Sequence, residues 1–273
     1  MPLKPYKGIA LTIAGSDSSG GAGIQADLKT FEAFDIFGMS VITALTAQNT
    51  FSVTGIFSVP PDFVKLQIKT IFDDIVPDAV KTGMLFSVEI IEIVANTLSE
   101  FGVKNLVVDP VMVAKSGAKL LKEDAIEVLV SRLLPIALLV TPNLPEAEII
   151  SEMKIVTRKD MLTAARKILK KGPKWVLMKG GHAQGDDVVD ILVSNEGVWE
   201  FKGKRIITKC DHGTGCTYSS AITALIASGK NVVESVCIAK KYMQIALESA
   251  PPLGKGHGPL RHNVQIDLDC TEL

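Results

Sequence analysis

The chain has 273 residues, 47% of them hydrophobic and 22% charged, with a formal net charge of −1. That composition is ordinary for a globular protein, and the near-neutral balance without a long charge run argues against a nucleic-acid binder. The longest apolar run, eight residues over 133–140 with Pro135 inside it, is far short of the roughly 20 needed to cross a bilayer.

Strand-like and helix-like segments then alternate along the chain. Residues 9–14 predict a strand, and 22–34 a helix with apolar Ile24, Leu28 and Phe31 on one face. A strand is expected over 40–45, a short β-segment over 53–59, and a helix over 62–72 carrying Phe63, Leu66, Ile68 and Ile71. Next come a strand at 79–82, a helix at 88–101, a strand at 106–109, a helix at 124–134 and a strand at 138–141. A helix over 158–171 leads to a strand over 175–179. Residues 188–193 and 198–201 predict a hairpin bridged by Ser194-Asn195-Glu196-Gly197. Two helices follow, 214–228, stopped by Gly229, and 232–249.

This alternation predicts an α/β fold: a mostly parallel central sheet covered by helices on both faces, in a single domain over 1–273. The faintly signal-like N-terminus reads better as a buried first strand, since it runs into Gly15-Ser16-Asp17 without a cleavage pattern. The four cysteines (Cys210, Cys216, Cys237, Cys270) show neither a CxxC pair nor zinc spacing. So few in a chain of this length fit a reducing, cytoplasmic compartment.

Parallel sheets bind ligands at the carboxyl ends of their strands, so polar residues just after a strand matter most. Gly15 opens a glycine-rich turn that lacks the G-x-G-x-x-G order and the P-loop Gly-Lys-Ser/Thr. Asp27 lies just inside the next helix, facing a site or simply favouring the helix start. Gln48 offers a paired donor and acceptor for a heteroaromatic edge, or braces a loop. Asp109 at a strand tip suits a metal or its water, or a helix cap. Asn143 and Glu146 supply oxygens suited to hydrated Mg²⁺, or form a capping box; the spacing alone does not separate the two. Lys179 precedes two glycines and could neutralise phosphate, or be an ordinary surface lysine. Lys240 and Lys241, on the last helix, read as solvated.

The densest signal is Asp211-His212-Gly213-Thr214-Gly215-Cys216 at the start of a helix. A glycine-rich turn there collects backbone N–H groups and the positive end of the helix dipole around an anion, and it favours the Cys216 thiolate. An anion hole beside an activatable thiol suggests phosphoryl transfer, against a loop with a buried cysteine as the plainer alternative.

The segments GSDSSGGAGIQADLKTF, TALTAQNT, DAVKTGML, VVDPVMVAKSG, TPNLPEAE, KGGH, HGTGCTYSS and GHGPLRH occur in this order from Gly15 to His262. Together they closely resemble the hydroxymethylpyrimidine/phosphomethylpyrimidine kinases of thiamine biosynthesis, in the ribokinase-like superfamily. The resemblance implies a three-layer α/β/α sandwich whose partners are small molecules, the pyrimidine and ATP, and a second copy of the chain. It implies Mg²⁺-dependent transfer from ATP to a pyrimidine hydroxymethyl group, then to the monophosphate. It assigns Gln48 to the aminopyrimidine edge and Gly15, Asp27, Met84 and Val111 to the pyrimidine pocket. Asn143, Glu146, Lys179 and Thr208 fall to the nucleotide and its phosphates, and Asp109 and Glu146 to the metal. Gly213, Thr214 and Gly215 form the anion hole, and Cys216 takes the proton of the attacking alcohol.

Asp211 stands where the family usually has threonine, and Ser18-Ser19 is a variant first turn. The chain runs eleven residues past His262, and no appended second enzyme domain is expected. The glycines at 254, 256 and 258 mark a segment able to close over the substrate. The nearest rival reading is a pyridoxal kinase of the cysteine-bearing branch; a silent pyrimidine-binding module ranks lower, because Cys216, Lys179, Asn143 and Glu146 are all present, and a Rossmann oxidoreductase lower still.

Overall fold

The computed structural model describes residues 5–112, 123–182 and 187–266. Cys270 and the end of the VVDPVMVAKSG segment lie outside these residues. The first strand, β1 (Ile9–Ala14), is followed by α1 (Gly23–Ala33), β2 (Phe37–Ile42), β3 (Ala44–Gln48), β4 (Val53–Ser58), α2 (Pro61–Phe72), β5 (Ala79–Thr82) and α3 (Val88–Glu100). Then come β6 (Leu106–Val108), α4 (Glu123–Val128), β7 (Leu139–Val140), α5 (Leu144–Ser151), α6 (Arg158–Leu169) and β8 (Trp175–Met178). The chain closes with β9 (Asp187–Ser194), β10 (Val198–Lys204), α7 (Thr214–Ala227) and α8 (Val232–Glu248).

Eight strands form one sheet in the order β10-β9-β8-β7-β6-β5-β1-β2. Every pairing from β2 to β8 is parallel, and β9 and β10 add an antiparallel edge. Strands β6 and β7 carry no polar side chains because helices cover both their faces, and β1 and β5 add only the buried Thr12, Lys81 and Thr82. On one face α2, α3, α5 and α6 bury Val64, Ile90, Leu98, Ile150 and Ile168. On the other, α1, α7 and α8 bury Phe31, Ile222, Leu225, Val236 and Tyr242. The result is the expected three-layer α/β/α sandwich.

Two expectations change. The strand expected over 40–45 is two strands. β2 ends at Ile42, Thr43 turns the chain by donating its N–H to Ala14 O (3.0 Å), and β3 leaves the main sheet to pair with β4 as a separate two-stranded flap. The helix expected over 124–134 is α-helical only to Val128, then passes through a π-helical turn (Leu129–Leu133) and a 3₁₀ turn (Leu134–Ile136). Pro135 has no N–H with which to continue the ladder. Helix α5 is eight residues long, too short to show a periodic apolar face, and only its start is legible in the sequence.

Candidate active site

A cavity of about 870 Å³ opens at the carboxyl ends of the parallel strands. The residues just beyond β1, β5, β6, β7 and β8 reach it: Gly15, Met84, Asp109, Asn143 and Lys179. Gln48, Val111, Glu146, Thr208 and Gly213 to Cys216 complete the set expected from sequence. Asp27 is the exception.

Asp27 does not line the cavity. It is fully buried beneath the floor, where Oδ1 accepts from Lys81 Nζ (2.7 Å) and Ser220 Oγ (2.6 Å) and Oδ2 accepts from Thr12 Oγ1 (2.6 Å). The helical turn that carries it points the carboxylate inward, toward β1 and β5, rather than up into the opening.

At one end of the cavity the first turn and the flap are laced together. Ser18 Oγ donates to the Gln48 carbonyl and accepts from the Gln48 N–H, each at 2.8 Å. Asp17 Oδ2 accepts from the N–H groups of Gly21 and Ala22 and lies 2.8 Å from His212 Nε2. Burial opposes the Asp17 charge, but the bonds from His212 and Ser19 outweigh it and hold the carboxyl at about 2. His212 Nε2 is also 3.2 Å from Gln48 Nε2, and Gln48 Oε1 accepts from Thr46 Oγ1 (3.3 Å). Gln48 is therefore both a braced amide and a cavity-lining one. A Cβ on Gly15 would meet the flexible end of Met84, with Cε at 2.3 Å, so a larger residue there would displace that side chain within the cavity.

The floor is the start of α7. Gly213 is the N-cap, with φ of 82°, a conformation that side chains resist. A Cβ there would fall 1.8 Å from Gly21 O, so the two glycine turns touch backbone to backbone. Gly213→Ala is accordingly expected to lose about 1–3 kcal/mol of stability, and a thermal melt that matches the parent would contradict this contact. The N–H groups of Gly215 and Cys216 precede the first intrahelical bond, from Thr217 N–H to Gly213 O (2.8 Å), so they are left for a ligand.

The opposite wall carries charge. Lys179 Nζ donates to Asp109 Oδ1 (2.9 Å), which also accepts from Thr141 Oγ1 (3.2 Å). Burial opposes both charges; Lys179 nevertheless holds Asp109 ionised below the usual carboxylate range, and Asp109 holds Lys179 protonated. Asn143 and Glu146 do form the capping box, with Glu146 N–H to Asn143 Oδ1 and Asn143 N–H to Glu146 Oε2, both 2.9 Å. Glu146 is also buried against this pair. Desolvation raises it to about 7, with Lys179 pulling it down and Asp109 pushing it up. The cap and the site are thus one arrangement: the cap orients a carboxylate whose charge calls for a cation.

Cys216 changes the reading of the thiol. The helix start was expected to favour a thiolate. Instead desolvation dominates and pushes the thiol up to about 11, while Lys81 and a bond from the Gly23 N–H pull the other way. The resting group is a protonated thiol.

Sequence reasoning missed several residues here. Lys240, read as solvated, donates to Asp190 Oδ2 at 2.6 Å and lines the cavity, and Asp190 also accepts from Gly180 N–H and Tyr218. Asp17, His212 and Lys81 were quoted in motifs without a role. The signal for Lys81 was present, since a lysine inside the otherwise apolar AVKT of β5 is an anomaly. Asp211, the departure from the family pattern, directs its carboxylate to His257 Nδ1 (2.8 Å). The 254–258 segment expected to close is bound to the flap turn, with His257 N–H to Thr50 O (2.8 Å) and Gly256 N–H to Thr50 Oγ1 (3.1 Å). No helix among the described residues is long and apolar enough to cross a membrane.

Comparisons with known proteins agree with this geometry. Residues 17–261 match the family model "Phosphomethylpyrimidine kinase". The chain is 51% identical over 256 residues to the thiamine biosynthesis bifunctional protein ThiED of Geobacter sulfurreducens, covering 94% of this chain and 52% of that longer protein. It is 44% identical over 254 residues to the hydroxymethylpyrimidine/phosphomethylpyrimidine kinase of Bacillus subtilis, covering 93% of this chain and 94% of the relative. Among solved structures, an ADP complex of Bacillus subtilis pyridoxal kinase superposes with a TM-score of 0.86 at 40% identity, covering 93% of this chain and 97% of that one.

Proposed function

The chain belongs to the phosphomethylpyrimidine kinase family, and from that membership we propose that it transfers the γ-phosphoryl group of ATP to 4-amino-5-hydroxymethyl-2-methylpyrimidine and then to the resulting monophosphate, for thiamine biosynthesis. The observation that supports this most is the meeting, at one cavity, of Cys216 and the α7 N-terminus with the Asp109–Lys179 pair and Glu146.

The pyrimidine lies between Gln48, Gly15, Met84 and Val111. Its amino and ring nitrogens meet the Gln48 amide, whose oxygen the Thr46 hydroxyl orients. The nucleotide takes the other end, along Thr208, Lys240 and Asn143, with its phosphates toward Lys179. In the first transfer the hydroxymethyl oxygen forms a bond to the γ-phosphorus as the bond to ADP breaks. The proton of that oxygen passes to the Cys216 thiolate, and the N–H groups of Gly215 and Cys216 meet the charge gathering on the phosphoryl oxygens. Because the resting thiol sits near 11, turnover on the alcohol rises with pH through the neutral and alkaline range.

The donor set fits Mg²⁺, which binds through one or two carboxylates plus phosphate oxygens and water. Asp109 and Glu146 would supply those carboxylates. When bound, the ion neutralises phosphate charge.

A product assay tests the reading. With ATP and Mg²⁺, the monophosphate should give the diphosphate. Phosphorylation of pyridoxal alone would move the chain to the pyridoxal kinase function for which the superposed relative is named. Absence of ATP consumption with every substrate would favour a binding module.

The protein also pairs as a homodimer in this reading. Leu45 and Phe57 are directly opposite each other across the flap and both exposed, and Phe51 at its turn is exposed too. Light scattering should give twice the chain mass for the parent and a monomer for Phe57→Glu; a monomeric parent rules the pairing out.

A further inference from the structure

Beneath the floor of the cavity lies an ion pair to which the reaction described above gives no role. Lys81 on β5 and Asp27 on α1 are both fully buried and 2.7 Å apart. Taking two charges out of water costs several kcal/mol each before their attraction offsets it, and Asp27 recovers part of that through its bonds from Thr12 and Ser220. The local geometry ties the pair to α7. Ser220, which donates to Asp27, is four residues after Cys216 in that helix. Residues i and i+4 share one helical face, so the face carrying Cys216 is the one turned toward the pair. The Gly23 N–H that bonds to Cys216 opens the same helix that carries Asp27. The tip of Lys81 passes beside Gly83, the residue before cavity-lining Met84.

We propose that Lys81 is a positioning residue for the phosphoryl transfer: its buried ammonium, anchored by Asp27, stabilises the Cys216 thiolate from below the cavity floor. This rests on the reading that Cys216 accepts the substrate proton.

The groups around Cys216 set the sign of the effect. Lys81 from β5 favours its charged form, whereas Asp27 from α1 and Asp109 beyond β6 oppose it. Lys179, beyond β8, interacts with Cys216 as well, and each lysine has its own carboxylate partner, Asp109 for Lys179 and Asp27 for Lys81. Lys81 is the cation that most favours the charged form of the thiol. Asp27 has two opposed effects: it holds Lys81 in place and it repels the thiolate.

The test is alkylation of Cys216 by iodoacetamide at pH 8.5, read by mass spectrometry of its peptide, beside steady-state kinetics. Either single change leaves one fully buried charge without its partner, so the decisive variant is the double change Asp27→Asn with Lys81→Met, which removes both. Cys216 alkylation should then slow about threefold or more, because the attraction of Lys81 exceeds the repulsion of Asp27, with kcat for the alcohol falling in parallel and KM staying within about threefold. A double variant with the parent's alkylation rate overturns the proposal. If alkylation slows as expected while Cys216→Ala keeps full turnover, it is the base role of Cys216 that fails, not the link between Lys81 and the thiolate.

Discussion

Cys216→Ala should slow phosphorylation of the alcohol by about 10² to 10⁴-fold, the usual worth of a positioned general base, and slow phosphorylation of the monophosphate far less. The asymmetry follows from the two nucleophiles. A primary alcohol must lose its proton as it attacks phosphorus, and Cys216 at the start of α7 faces the cavity where that proton leaves. The phosphate oxygen of the monophosphate is already ionised near neutrality, since the second ionisation of a phosphate monoester has a pKa of about 6. It needs charge neutralisation from Lys179 and the helix N-terminus, not a base. Binding should survive in both steps, because Gln48, Met84 and Val111 are untouched. Separate rate measurements on the two substrates check this. Equal losses in both steps would mean that Cys216 acts by shaping the anion hole and not by taking a proton.

Much of this site was legible before any coordinates. A strand followed at once by Gly15, Asp109, Asn143 or Lys179 marks a parallel sheet with its ligand site at the strand ends, and the structure brings those four residues to one cavity. What could not be read was depth. Asp27 stands at a position where a helix start is as plausible as a pocket wall, and only the packing of α1 against β1 and β5 sends its carboxylate under the floor. The Cys216 thiol depended in the same way on a balance between helix dipole and desolvation. The motif displays the first, and only the surrounding fold determines the second. Lys240 looked solvated because its partner Asp190 lies fifty residues away, on β9. The flap was hidden because 40–45 reads as one strand, and the turn at Thr43 depends on a bond to Ala14 that no local pattern announces.

Glu146→Gln should produce a more stable and nearly inactive protein. Glu146 is raised from its ordinary 4.5 to about 7, chiefly by burial. Between those values the folded protein binds more protons than the unfolded chain, so stability falls as pH rises through this window. Above about pH 7 the folded state carries a desolvated carboxylate at a cost on the order of 1–3 kcal/mol, given 1.36 kcal/mol per unit and the offset from Lys179. Glutamine removes that charge and keeps the capping box, which accepts Gln at the same position. The variant should therefore melt several degrees above the parent at pH 8, and the gap should close as the pH is lowered toward 4.5. Activity moves the other way. The carboxylate that burial makes unfavourable is the one a cation beside the phosphates would relieve, so turnover should fall about 100-fold, the upper end for losing a group that supports a metal, and the Mg²⁺ requirement should rise. Melting curves across pH, set beside Mg²⁺ titrations of turnover, check both halves. A variant that melts below the parent at pH 8 would mean that Glu146 serves the fold first, through its cap, and that its place beside Asp109 and Lys179 is incidental.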